Sequence, residues 1–550
     1  MSKNFPKVRF HGLLGKALER SCANRLKKVD YNQLVEPFRL RNEADGAWRC
    51  EFWGKVLRSA ILTNYYLQDK ELENIIRQTV DAIIATQTPD GCISSYPEHL
   101  QLKKWDIWGR KYVLLALLRY YDMIDADDRV KTCCVRMLDH LIGQIGNDPQ
   151  GFTIYGEHGG LAASSILGAV VGVYRISGEK RFLDFARLIV NSGCSAKHNI
   201  FEASCAGVPP CELGNGKAYE MTSCFQGLAE LYMIDPVPAY KEACEKYFAA
   251  VRKEEIFITG TGGGRDRWGE YWDRGALRQT ETGYPGGLGE TCVTTTWLHY
   301  CERIADITLS SLPFEEAERS LYNSILGAMS DDGASWMHVN PTPLTGNGYK
   351  LAAGDQIGNN FGTPFGGHDC CRAQGPEALG LAGKLAVVAR KESIDINMFE
   401  ALTAVIDSNT EIEISGNYPL EPVAEIKITA SEISTIRLRI PFFTKRITLN
   451  DKCLEFEPGS YLTLTRQWMD TDIIRMEFDF SLKKISSPDG NNYMAFMRGP
   501  LLLAADSRGD VPGALISVKC NDIQLIDYIT AGNQMCKENT LTVWFQNQHN

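Results

Sequence analysis

The hydrophobic period of this chain changes once, and that change limits what it can fold into. From about residue 51 to residue 384 the apolar residues recur at helical spacing. Helices are predicted over 51–67, 70–87, 107–123, 130–145, 162–176, 180–190, 218–233, 238–252, 291–307, 314–329 and 377–385. Thr88-Pro89-Asp90-Gly91 and Ser177-Gly178-Glu179 follow apolar-periodic runs, where helical hairpins need breaks. The run from Tyr112 to Leu118 is apolar all round, as an enclosed helix requires. Alternating enclosed and amphipathic helices, with no fixed-period repeat, point to a two-layer helical barrel rather than a solenoid.

Beyond about residue 394 the period is two. Glu411-Ile-Glu-Ile-Ser, Ala424-Glu-Ile-Lys-Ile-Thr, Thr435-Ile-Arg-Leu-Arg-Ile and Ile474-Arg-Met-Glu-Phe-Asp-Phe alternate apolar with polar residues. Ser415-Gly-Asn, Leu449-Asn-Asp-Lys and Pro458-Gly-Ser separate such runs, so an antiparallel β-sandwich is expected. The organisation read from the sequence is multidomain α + β. Residues 1–30 form an N-terminal segment whose Lys7–Phe10 stretch adds a strand to the sandwich, 31–390 form the helical barrel, and 391–550 the sandwich. A chain of 550 residues exceeds what one hydrophobic core holds.

The net charge of -10 and pI near 5.6 lack the basic footprint of a nucleic-acid binder. No apolar leader or membrane-length apolar run stands out, and the 17 cysteines then suit a reducing cytoplasm rather than a disulfide framework. Most of these cysteines, such as Cys22, Cys50, Cys133 and Cys244, are expected to be small buried hydrophobes.

Three others sit among chemistry-bearing residues. Gly287-Leu-Gly-Glu290-Thr-Cys292 forms one half of a ligand set, and Phe365-Gly-Gly-His368-Asp-Cys370-Cys371-Arg372 the other. Upstream lies Gly260-Thr-Gly-Gly-Gly, then Trp268-Gly-Glu270-Tyr-Trp272. Side chains at i and i+2 point the same way in extended chain, so Glu290 and Cys292 belong at a strand end or a helix entry. Adjacent Cys370 and Cys371 are expected on a turn, with Gly366-Gly367 supplying the freedom. Three thiolates and a carboxylate suit Zn2+ better than magnesium or calcium.

These residues resemble glycoside hydrolase family 127, the β-L-arabinofuranosidase-like (DUF1680) group. The likeness runs through Trp268-Gly-Glu270, Gly289-Glu290-Thr-Cys292, Leu321-Tyr-Asn323, Val339-Asn-Pro341 and Cys370-Cys371. It continues in Leu438-Arg-Ile-Pro441, Ile447-Thr-Leu-Asn450, Arg466-Gln-Trp468 and Arg498-Gly-Pro500. The resemblance implies an (α/α)6 barrel followed by β-sandwich material. It also implies zinc on Glu290, Cys292, Cys370 and Cys371, with Cys370 as nucleophile and Glu270 as general acid/base in a retaining hydrolysis. Trp268 and Trp272 flank Glu270, and an apolar setting would raise its pKa.

The chain also departs from the family pattern. Arg372-Ala-Gln follows Cys371 where the family has Pro-Pro-Asn, and Tyr112, Ala163 and Lys217 stand where it has sugar-binding histidines. Arg110, Lys111, Lys217 and Arg372 then suggest an acidic sugar. His338, His368, Lys217 and Trp268 are the expected substrate contacts, with His368 also a candidate ligand, while His158 and His299 are expected in the core or on the surface. Trp53 and Trp105 could stack on sugar faces. The expected partner is a carbohydrate, with neither nucleic acid nor membrane, and a homodimer is compatible. Two alternatives remain open: a glycosidase pairing Glu270 with Asp273 or Glu281 around a structural zinc, and a non-catalytic carbohydrate-binding protein.

Overall fold

The computed structural model describes residues 5–146, 151–264, 269–281, 287–343, 370–509, 511–535 and 539–547. Trp268, His368 and the Gly366-Gly367 pair fall outside them. Six helices, Phe52–Leu67, Asp106–Met123, Leu167–Ser177, Ala218–Tyr232, Thr291–Thr308 and Cys370–Ala386, each pack on the next, and the last packs on the first. The ring is closed. A second layer covers it: Leu13–Ser21, Lys70–Ile84, Asp128–Ile145, Lys180–Asn191, Pro238–Glu254 and Leu312–Arg319 each lie against inner helices. This is an (α/α)6 barrel.

Sequence explains the two layers. The inner helix Phe52–Leu67 is buried nearly all round. The outer helix Lys70–Ile84 buries only Leu72, Ile76, Thr79, Val80 and Ile83, a single stripe. The hairpin between them is tight because Gln68 takes a left-handed φ of 54° and the Asp69 carboxylate accepts the Leu72 N–H at 2.9 Å. Since each inner helix returns through an outer one, all six inner helices run the same way. Their C-terminal residues Met123, Arg175, Glu230 and Lys384 line one cavity of about 330 Å³ at the far mouth.

Strand Lys7–Phe10 pairs with Leu402–Asp407 at the edge of a seven-stranded antiparallel sheet. A four-stranded sheet, in the order Tyr461–Gln467, Ile433–Arg439, Ile394–Ile396, Val387–Ala389, supplies a second layer. Ile412, Ile426, Ile474 and Ile436 are buried in the core these sheets share with the barrel. Arg439 is fully buried, and its guanidinium pairs with Glu318 at 2.9 Å and Glu315 at 2.5 Å on an outer barrel helix.

The C-terminal strands form a third sheet rather than extending the sandwich, from Lys483–Ser486 to Ser517–Cys520 with Tyr493–Arg498 and Leu501–Asp506 inside. It braces the barrel. Asn323 donates to Pro500 O at 3.0 Å and accepts from Leu502 N at 2.8 Å, and the Tyr528 hydroxyl donates to Pro341 O at 2.7 Å. His158–Ser177 is apolar and long enough to cross a membrane, but it is two-thirds buried and supplies the inner helix Leu167–Ser177.

Candidate metal and catalytic centre

The centre is assembled at the N-terminal ends of the inner helices. Strand Gly287–Glu290 pairs antiparallel with Val339–Thr342, opposing Glu290 to Val339. Glu290, still extended at φ -82° and ψ 134°, caps helix Thr291–Thr308, which puts Cys292 in its first turn. The strand-to-helix junction expected for Glu290 and Cys292 is what the chain adopts. The partner strand brings His338, whose carbonyl accepts the Thr291 N–H at 3.0 Å.

Cys370 and Cys371 are not on a turn. They open helix Cys370–Ala386, seven residues earlier than the apolar period suggested. Gly375-Pro376 reads as a helix break, yet Pro376 lies inside the helix, which runs on through it at the loss of the one i→i−4 hydrogen bond its missing N–H would make. In a helix, neighbouring side chains diverge by about 100°, and both sulfurs still reach one point beyond the helix end.

Cys370 Sγ lies 3.9 Å from Cys371 Sγ and 3.8 Å from Glu290 Oε1, and Cys371 Sγ lies 3.6 Å from the same oxygen. With Cys292, the four donor atoms all fall within 4.8 Å of one another. Tetrahedral coordination with metal–sulfur bonds of about 2.3 Å places sulfurs roughly 3.8 Å apart. The donor set fits a metal ion of that kind. A second group, Glu270, Glu290 and His338, shares Glu290 with the first.

Glu270 approaches along a glycine-rich path. A Cβ at Gly269, which has φ +75°, would lie 2.3 Å from Leu288 O, and one at Gly263 would lie 2.1 Å from Gly269 O. Only glycine lets the strands close this tightly. The Glu270 carboxylate meets Lys217 Nζ at 2.5 Å and His338 Nε2 at 3.8 Å. Its described neighbours are thus the charged or ionisable groups Lys217, His338 and Glu290 rather than the expected aromatic walls; Trp272 is buried and donates instead to the Tyr247 hydroxyl at 3.0 Å.

The thiols differ in acidity. Hydrogen bonds from Cys292 and Cys371, then His338, hold the Cys370 thiol well below its ordinary range despite burial. Burial pushes the Cys292 and Cys371 thiols up. Burial also raises the Glu290 carboxyl, and the neighbouring Glu270 adds to it. At His338 burial opposes protonation, but the Cys370 sulfur outweighs it and the ring is pushed up to about 10.

Lys55 belongs to the centre and escaped the sequence reading. Its ammonium is buried 3.9 Å from Cys292 Sγ and 3.1 Å from Glu51 Oε1, over the rings of Tyr112 and Tyr219. The readable signal was a lysine inside an otherwise enclosed helix, Phe52-Trp-Gly-Lys55-Val-Leu. Lys111 repeats the pattern, with Nζ 4.1 Å above the Trp108 ring and 3.2 Å from Ser165 Oγ, and burial brings it down to about 7.

Several expectations need correction. Arg110 turns away, paired with Asp106 at 2.8 Å and bonded to Gln144, while Lys217 is engaged by Glu270 and Lys111 is enclosed by aromatic rings. The acidic-sugar argument therefore loses these three charges. The Tyr112 hydroxyl contacts that of Tyr219, and Ala163 is buried. Trp53 is core, donating to Thr79 Oγ1 at 2.9 Å. His158 faces the Tyr271 hydroxyl at 3.5 Å beside the centre, with Trp105 edge-on to its ring. His299, as expected, is a core residue, paired with Glu377. Glu281 pairs with Arg278 and Asp273 lies by Glu255, so the carboxylate grouped with Glu270 is Glu290.

Known proteins share this architecture. Two solved structures superpose over nearly the whole chain: a GH127 β-L-arabinofuranosidase from Geobacillus stearothermophilus T6 (TM-score 0.76, 15% identity, 98% of this chain and 99% of that one) and another GH127 β-arabinofuranosidase (TM-score 0.77, 17% identity, 99% and 97%). The non-reducing end β-L-arabinofuranosidase of Bifidobacterium longum subsp. longum is 22% identical over 521 residues, covering 85% of this chain and 77% of its own. The family profile of the β-L-arabinofuranosidase GH127 catalytic domain matches residues 13–382, from the first outer helix to the last inner one. The barrel is thus matched throughout, and the chain belongs to glycoside hydrolase family 127 and is a glycoside hydrolase.

Proposed function

We propose that the protein is a zinc-dependent, retaining glycosidase that releases a terminal β-L-arabinofuranose-like sugar, with Cys370 as nucleophile and Glu270 as proton donor and acceptor. The observation that carries this reading is the convergence of Glu290, Cys292, Cys370 and Cys371 within 4.8 Å, with Glu270 grouped on the shared Glu290. Zinc bound there keeps thiols as thiolates at neutral pH. Cys370 Sγ attacks the anomeric carbon as the glycosidic C–O bond breaks, and Glu270 gives its proton to the departing oxygen. Glu270 then takes a proton from water, whose oxygen displaces Cys370 from the sugar; two inversions give net retention. Lys217 Nζ, 2.5 Å from Oε2, holds the Glu270 side chain in position. The sugar is supported by the activities named for the related proteins, and a neutral one by the engagement of Arg110, Lys111 and Lys217. A reducing cytoplasm suits a centre that needs three free thiols.

Metal analysis and turnover of aryl β-L-arabinofuranosides by Cys370→Ser test the proposal. About one zinc per chain is expected, with the variant folded and inactive. An active Cys370→Ser enzyme would refute the nucleophile and favour carboxylate chemistry on Glu270 and Glu290. Failure of every furanoside tested would refute the substrate.

A further inference from the structure

Cys370 carries two duties in this reading. While its sulfur is bonded to sugar it is a thioether, a far weaker ligand than a thiolate. The centre would then be left with Glu290, Cys292 and Cys371, one short of a tetrahedral set. His338 stands beside the gap. Its Nδ1 is 3.6 Å from Cys371 Sγ and 4.0 Å from Cys370 Sγ, close to the edge length of a tetrahedral ligand set, and it is grouped with Glu290 within 4.8 Å. No other imidazole among the described residues is placed there.

The backbone holds this ring in place. His338 directly precedes strand Val339–Thr342, its carbonyl accepts the Thr291 N–H at 3.0 Å, and Cys371 Sγ sits 3.8 Å from the same carbonyl. Its Nε2 is buried and faces Glu270 Oε1 at 3.8 Å, beyond hydrogen-bond distance. A ring with its hydrogen on Nε2 points that N–H at Glu270 and leaves the Nδ1 lone pair on the side of Cys370 and Cys371, free for a metal held there.

We infer that His338 is a reserve ligand: Nδ1 takes the coordination position that Cys370 vacates while the sugar is attached, and returns it when the thiolate is released. The exchange is redox-neutral. A sulfur–metal bond breaks as the sulfur bonds to carbon, a nitrogen–metal bond forms from the Nδ1 lone pair, and no proton moves at the ring. Glu270, having just given up its proton, is then the better acceptor for Nε2–H. The inference rests on the zinc reading above and adds a residue outside its four ligands.

The test uses the full chain as wild type, Cys370→Ala, His338→Ala and the double variant, with His338→Gln as a variant that keeps bulk and polarity. Zinc content, zinc affinity by chelator competition, and the absorption of the cobalt(II) forms are read, with circular dichroism reporting the fold. Cys370→Ala should keep its metal and a four-coordinate cobalt spectrum with weakened thiolate charge transfer. The double variant should bind zinc about 10–100-fold more weakly than Cys370→Ala, whereas His338→Ala alone should scarcely change affinity. Equal zinc affinity in the double variant and Cys370→Ala would overturn the inference. So would loss of zinc from His338→Ala or His338→Gln alone, which would make His338 a permanent ligand. A wild-type protein without zinc would instead overturn the zinc reading itself, a result seen before any variant is compared.

Discussion

Charge at the centre is balanced residue by residue. Three sulfurs and two carboxylates gather where Lys55 and Lys217 supply buried positive charge. Lys217→Ala removes the strongest contact of the Glu270 carboxylate, and loss of positioning on this scale should lower kcat about 10–100-fold with a smaller effect on KM. Steady-state kinetics on an aryl furanoside would show it; an unchanged kcat would mean that Glu270 is held by other groups. Lys55→Met keeps the stem and removes the ammonium beside Cys292. Zinc affinity should fall about 10–100-fold, as for other groups that support a ligand, and chelator competition measures this. The sequence alone pointed to the four candidate ligands that the fold gathers, because their types and spacing are local. It did not show their supports, because Lys55 comes from a helix more than 200 residues away from Cys292 in the chain, brought in by barrel closure.

The elements carry the centre through close packing. Helix Cys370–Ala386 seats its first turn by laying Gly375 against the ring of Trp336, where an added Cβ would meet Trp336 Cγ at 2.3 Å. Trp336 is fully buried, so the ring has little room to yield. Gly375→Ala should therefore cost about 1–3 kcal/mol by overpacking and displace both cysteines, lowering stability in urea and zinc affinity together. Stability loss with unchanged zinc affinity would separate the helix seat from the centre. Element type was legible wherever one period held, as in the barrel hairpins and in strands such as Glu411 to Ser415. It was not legible at Cys370, where a proline within a helix imitates a break. Nor was the third sheet legible, because Tyr493–Arg498 and Leu501–Asp506 are apolar on both faces and show no alternation.

At the scale of the whole molecule, charge also runs down the barrel interior. Arg58 pairs with Glu377 at 2.8 Å, and His299 meets Glu377 at 2.9 Å. Burial keeps His299 neutral, its pKa brought down to about 4. At Glu377 burial acts the other way, but Arg58 and His299 outweigh it and lower the carboxyl to about 2. Both groups bind protons more readily when unfolded, so stability rises with pH across their windows. The His299 contribution is present above about 6.5 and lost towards 4; that of Glu377 is lost from about 4.5 towards 2. Urea midpoints should fall as pH drops from 7 to 4, and His299→Gln should flatten the upper part of that fall. A profile unchanged by the substitution would assign the acid sensitivity elsewhere. The common direction of the inner helices has a consequence of another kind. Each helix carries about half a positive charge at its N-terminus from aligned peptide dipoles, and those of Ala218–Tyr232, Thr291–Thr308 and Cys370–Ala386 open at the centre. The scaffold itself is therefore an anode facing the sulfurs, before any ion binds. Stripped of metal, the protein should alkylate first at Cys370, at a pH below the ordinary thiol range, while Cys292 and Cys371 resist. Mass-mapped iodoacetamide labelling across pH would reveal a barrel that makes its own thiolate and leaves the metal to hold it.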